Sequence, residues 1–176
     1  RVNLIGEHTD YNDGFVLPMA IDRRVLVALS PRDADRIVAY SVRFGERREL
    51  SLSGQSPTGS RCWEDYVAGV ALAMRGASIP GTGADLLISG GVPVGAGLSS
   101  SAALEIALSR SLFAVVDHPW DARTAARLAQ GAENRYVGVR CGIMDQLTPS
   151  SGRAGHALLL DCRPLEISYV AMPAEL

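Results

Sequence analysis

Apolar positions along this chain follow two rhythms, one strand-like and one helical. Short runs at 14–18 (GFVLP) and 25–29 (VLVAL) are β-branched or aliphatic and bounded by turn residues, so they predict strands, the second closing at Ser30-Pro31. Runs at 37–40 and 49–52 continue the same sheet. Residues 54–60 are rich in Gly, Ser and Pro and predict a loop. From Trp63 the spacing changes. Val67, Val70, Ala71 and Met74 recur with helical period, and the predicted helix stops at Gly76. A strand at 84–88 follows and is broken by Gly90-Gly91-Val92-Pro93. A longer helix starts near Ser101, with Leu104, Leu108, Leu112 and Val115 on one face, and ends before His118-Pro119. Asp121 suits the N-cap of a third helix that turns Ala125, Leu128 and Ala132 inward and runs to about Tyr136. Residues 157–162 and 165–171 predict two closing strands. Strands, then helices, then strands imply an α+β fold, with helices on one face of a largely antiparallel sheet.

Composition narrows the function classes. With 176 residues and 47% hydrophobic content, the chain can build the core of about one domain. A net charge of −2 and a pI near 5.9 leave no electrostatic footprint for nucleic acid or an anionic membrane. No apolar run approaches the roughly 20 residues that span a bilayer. Three cysteines (Cys62, Cys141, Cys162) are odd in number and lack ligand-like spacing, so free thiols in a reducing cytoplasm are expected. The chain opens without Met inside a dense motif, which reads as a piece of something longer.

Three segments carry candidate chemistry. Residues 1–11 (RVNLIGEHTDY) place Arg1, Asn3, Glu7, His8 and Asp10 among three aliphatics. Burying such groups costs about 1–3 kcal/mol each unless they are partnered, and a hydroxyl-rich ligand would partner them. A merely polar loop accounts for them equally well. Residues 93–103 (PVGAGLSSSAA) join a strand to the long helix. Gly95 and Gly97 free the backbone to bend, and amides at the helix start favour an anion. Ser99, Ser100 and Ser101 add hydroxyls and a hard oxygen for Mg²⁺. The Lys of a Walker loop is missing, and Ser100 stands at the third glycine position of a dinucleotide fingerprint. A capped helix behind a glycine turn is the competing account. Residues 141–146 (CGIMDQ) set Asp145 in an otherwise apolar loop, suited to proton abstraction, although taken singly a helix N-cap or turn-forming Asp is the better account. Glu133 on the preceding helix is a second metal-ligand candidate or a solvated surface glutamate. Together the parts fit a sugar or alcohol phosphotransferase.

Those residues resemble a known family. Residues 1–11 resemble the signature of galactokinases, 93–103 the ATP-phosphate motif of the wider GHMP kinases, and 141–146 the galactokinase loop that holds a catalytic aspartate; the agreement continues through 155–163. The resemblance implies that 1–176 form the N-terminal, ribosomal-protein-S5-domain-2-like domain of a GHMP kinase, without its C-terminal domain and third, glycine-rich motif. It implies ATP and Mg²⁺, galactose as acceptor at O1, and a cytoplasmic monomer. Asp145 would take or orient the proton of the C1 hydroxyl, and Arg1 would lie beside that hydroxyl and the γ-phosphate. Glu7, His8 and Asp10 would bind the other sugar hydroxyls, with the Gly142 backbone closing the pocket. Gly95, Gly97, Leu98, Ser99, Ser100 and Ser101 would bind ATP, and Ser101 with Glu133 would hold Mg²⁺. A kinase acting on N-acetylgalactosamine or L-arabinose, or a non-catalytic regulator that binds galactose and ATP, is also compatible with the resemblance.

Overall fold

The computed structural model describes residues 1–53 and 60–173. The loop expected at 54–60 lies, apart from Ser60, outside the described residues. Three two-residue strands, β1 (Val2–Asn3), β2 (Phe15–Val16) and β3 (Pro18–Met19), precede β4 (Val25–Arg32), β5 (Arg36–Ser41) and β6 (Glu46–Ser51). Helix α1 (Trp63–Gly76) leads to β7 (Gly83–Gly90), α2 (Ser100–Val115) and α3 (Ala122–Ala132). A π-helical turn (Glu133–Val137), α4 (Met144–Ser151), β8 (His156–Asp161) and β9 (Glu166–Ala171) complete the described elements.

The fold is α+β, but the strands form two sheets rather than the one expected. In the four-stranded sheet the order is β4-β7-β5-β6, and β5 and β7 run parallel because α1 crosses over between them. In the other sheet β8 is central. β2 and β3 lie end to end along one of its edges, with Val16 opposite Leu160 and Met19 opposite Ala157, and β9 lines the other. The break between β2 and β3 falls at Leu17, whose N–H turns to Ile5 O at 2.9 Å and so anchors the opening segment.

One helical layer serves both sheets. Val67, Val70 and Met74 of α1 and Ile106, Leu108 and Phe113 of α2 pack with Ile37, Leu86 and Ile88 of the four-stranded sheet. Ala126 of α3 and Met144 and Leu147 of α4 pack instead with Val16, Leu160 and Cys162. Each fully buried large side chain contributes about 1.5–3 kcal/mol, so α4 is pinned by its contacts rather than by its helix propensity.

Three expectations shift. The strand at 25–29 continues through Pro31 to Arg32, because β4 is an edge strand and proline is tolerated there. On α2 the buried stripe includes Ala102, Glu105, Ile106, Ser109 and Phe113 beside Leu108 and Leu112, while Leu104 and Val115 are only half buried. Helices cover α2 on the side away from the sheet, which rotates its buried face. The third helix gives way at Glu133 to the π-helical turn. Asp121 does cap α3, accepting from Thr124 N at 2.7 Å.

Candidate active site

The opening segment is a folded loop, not a frayed end. Thr9 Oγ1 lies within reach of Gly6 O (2.8 Å) and Phe15 O (2.7 Å), and Thr9 O accepts from the amides of Asn12 and Gly14. Gly6 has φ +96°, and a Cβ there would collide with Phe15 O, so only glycine fits.

Arg1 joins this loop to the two other motifs. Its Nε donates to Asp145 Oδ1 at 2.6 Å, and an Nη pairs with the same carboxylate. The other Nη donates to Gly97 O at 2.9 Å, and the backbone nitrogen donates to Leu98 O at 3.1 Å. The fork of one guanidinium thus spans the glycine loop and Asp145.

The sequence pattern places Asp145 in a loop; it stands instead in the first turn of α4. Pro149 argues against a helix, but buried Met144, Leu147 and Thr148, with Thr148 Oγ1 donating to Met144 O at 2.6 Å, hold one. Asp10 reaches the same helix start, its Oδ2 accepting from Met144 N at 3.4 Å. Burial pushes the Asp10 carboxyl above its ordinary value, and nearby Asp145 adds to that rise. The Gly142 backbone lies against Asp10 so closely that a Cβ would overlap its carboxylate. Arg1, Asp10, Gly142 and Asp145 therefore form one cluster with Gly97 and Leu98.

Glu7 and His8 stand apart, at an exposed rim. Glu7 accepts from Asn3 Nδ2 at 2.9 Å; His8, at φ +62°, places Nδ1 2.5 Å from the Tyr11 hydroxyl.

On the other side of Arg1 lies the serine loop. Gly95 (φ +75°) and Gly97 (φ +70°) face open space, so left-handed backbone is what requires glycine there. Ser99 adopts φ 54° at the N-cap of α2, yet its side chain does not cap the helix, and Ser99 Oγ is buried with no partner among the described residues. No acid occupies the first turn. The opening amides of α2 are thus left for an anion beside the positive end of the helix dipole.

Glu133 is 5% exposed, which rules out the solvated-surface account. It receives a hydrogen bond from Gln146 Nε2 at 2.6 Å, lies 3.5 Å from Cys141 Sγ, and is a hydrogen-bonding neighbour of the Ser101 hydroxyl. Burial raises its carboxyl above the ordinary value and drives the Cys141 thiol far above its own; Tyr66 is pushed up to about 12 by burial and by Glu133.

The sequence reading missed a cavity of about 200 Å³ walled by Val25, Phe44, Trp63, Tyr66 and Leu104, with Ser100 and Ser101 on one side. Phe44 and Trp63 stack at 6.4 Å between centroids and 10° between planes. The available signal was Phe44, an aromatic in a turn between two strands that neither strand's alternation needs.

Residues 1–31 match the galactokinase galactose-binding signature, and residues 65–153, half of the chain, match the GHMP kinase N-terminal domain. The chain belongs to the GHMP kinase family. This GHMP kinase chain is 48% identical over 175 residues to a galactokinase of Chloroflexus aurantiacus, covering 99% of the chain and 45% of that protein. It is 52% identical over 173 residues to a galactokinase of Roseiflexus sp., covering 98% and 44%. The chain thus spans less than half the length of these relatives. The structure of Lactococcus lactis galactokinase complexed with galactose superposes with a TM-score of 0.88 at 34% identity, over 96% of this chain and 44% of that one. Methanococcus jannaschii mevalonate kinase shares the fold, with a TM-score of 0.77 at 21% identity over 99% and 54%. Among the described residues, no helix is long and apolar enough to cross a membrane.

Proposed function

We propose that the protein carrying this chain phosphorylates α-D-galactose at O1 with MgATP, giving galactose 1-phosphate and ADP. The observation that carries this reading is the Arg1 guanidinium, which binds the glycine loop and Asp145 at once. That arrangement sets a proton acceptor beside a phosphate cradle, with a fixed positive charge between them. Asp145 orients the O1 hydroxyl and takes its proton as the O1–Pγ bond forms and the bond from Pγ to the β–γ bridging oxygen breaks. Arg1 offsets charge on the transferring group. Asp10 accepts from sugar hydroxyls, and Glu7 and His8 do so from the rim, so an epimer leaves them unpaired. Gly95, Gly97, Leu98, Ser99 and Ser100 wrap the triphosphate, and the stacked walls of Phe44 and Trp63 suit the flat base of the nucleotide.

Mg²⁺ fits the residues present. Ser101 and Glu133 offer two neighbouring hard oxygens, enough for an ion that takes its other ligands from phosphate and water; among the described residues no group of three His, Cys, Asp or Glu side chains forms a metal cage. When bound, the ion neutralises triphosphate charge. In this reading residues 1–176 form one domain, a C-terminal domain supplies the second wall of the cleft, and the protein is a cytoplasmic monomer.

A coupled assay on the full reading frame, with galactose, N-acetylgalactosamine and L-arabinose as acceptors, tests the reading. Turnover of galactose in preference to the others is expected. Binding of galactose and ATP without turnover would instead make the protein a regulator, an outcome that the presence of Asp145 and all three serines argues against. Gly142→Ala probes the sugar edge in the same protein. Its methyl group displaces the Asp10 carboxylate, and a lost hydrogen bond to a charged group is worth about 1.5–3 kcal/mol. Calorimetry should show galactose binding weakened roughly 10- to 100-fold. Unchanged affinity would remove Asp10 from the sugar site.

A further inference from the structure

Helix α2 buries an acid that its core does not ask for. Glu105 is four residues beyond Ser101, has no exposed surface, and lies on the face that carries Ala102 and Ser109. Gln146, the neighbour of Asp145 in α4, is also fully buried. Its Nε2 donates to Glu133 Oε2 at 2.6 Å and lies 3.3 Å from Glu105 Oε2. One amide nitrogen therefore ties together three elements, each of which supplies a site residue: α2 with Ser101, the π-helical turn after α3 with Glu133, and α4 with Asp145.

This clamp is costly as packing. Glu105 Oε1 and Gln146 Oε1 are buried with no partner among the described residues, at about 1–3 kcal/mol apiece. Leucine or methionine at 105 would fill the same space without that loss. Burial and the adjacent Glu133 also push the Glu105 carboxyl well above its ordinary value, so the two acids can sit side by side.

We infer that Glu105 is a positioning residue: through Gln146 it fixes the Glu133 carboxylate toward Ser101 and so sets how tightly the site holds a divalent cation. The inference rests on the reading of Ser101 and Glu133 as ligands of that cation. Groups that orient a metal ligand commonly change metal affinity 10- to 100-fold when removed.

The test uses the full reading frame loaded with ADP and Mn²⁺ as the probe, titrated by electron paramagnetic resonance. Glu105→Met should weaken Mn²⁺ binding about ten-fold and raise the Mg²⁺ concentration for half-maximal turnover in parallel, with the KM for galactose within two-fold of wild type. Glu105→Gln, which restores a polar partner of the same shape, should bring Mn²⁺ binding back to within about three-fold. Glu133→Ala serves as the reference for loss of a ligand. Normal Mn²⁺ binding by Glu105→Met, with Glu133→Ala defective, overturns the role of Glu105 and leaves the cation site standing. Normal binding by Glu133→Ala overturns the cation assignment and the positioning role with it. Should Glu105→Met fail to fold, Gln146→Leu removes the same bridge from the other side and must weaken Mn²⁺ binding in the same way.

Discussion

Replacing Asp145 with alanine is expected to lower kcat for galactose phosphorylation by roughly 10³-fold or more, within the range for loss of a positioned general base. Galactose should still bind within about three-fold of wild type. The Asp10 carboxylate at the same helix start accepts from the Met144 backbone amide, a contact that alanine at 145 leaves in place. The Arg1–Asp145 pair is mostly buried, 15% and 27% exposed at the two side chains, so a thermal melt of the variant accompanies the kinetics to separate lost chemistry from lost stability. Galactose calorimetry beside a single-turnover assay separates the two effects, and a variant that still transfers phosphate at a tenth of the wild-type rate would take Asp145 out of the chemistry.

Arg1→Lys should be nearly as damaging, with kcat falling about 10²-fold despite the retained charge. The guanidinium uses Nε and one Nη on Asp145 and the second Nη on Gly97 O, a planar fork that a single ammonium cannot reproduce. Lysine can satisfy one partner and must leave the other. If it keeps Asp145, the glycine loop is released and the KM for ATP rises; if it keeps Gly97 O, Asp145 loses its orientation and kcat falls alone. Steady-state kinetics with both substrates varied distinguish these outcomes. Wild-type rates in Arg1→Lys would show that the fork does not matter.

Much of the fold could be read from periodicity because most elements bury one regular face. The helix at Val67, Val70 and Met74 and the Asp121 cap are local facts of the chain. The division into two sheets is not. A strand run carries no mark of which sheet will receive it, and the split is decided by helices that arrive later in sequence and cover both. Helix α4 was hidden for a related reason, since Pro149, Ser150 and Ser151 speak for a loop and only burial of Met144 and Leu147 overrides them.

The site shows the same boundary. Arg1, Asp10, Gly142 and Asp145 were legible as residue types, and the structure brings them together; Glu7 and His8 it leaves on the rim. Glu133 could have been either a surface or a buried residue on local evidence, because its burial depends on α2 and α4 closing over it. Glu105 left one readable trace, an acid placed three residues from both Ala102 and Leu108 on an inward helical stripe. Phe44 and Trp63 left less, being brought together by the return of α1 onto the sheet.

Arg1 contacts partners 96, 97 and 144 residues further along the chain. Closing a loop that long is entropically unfavourable until the intervening strands and helices have docked. During synthesis the opening motif leaves the ribosome well before the helix that carries Asp145 exists, and it must wait, unpaired, for almost the whole of this chain to be made. The knot of three motifs should therefore be among the last features to form and among the first to open in the folded protein, with hydrogen exchange at the Gly97–Leu98 loop faster than in α1 or β7.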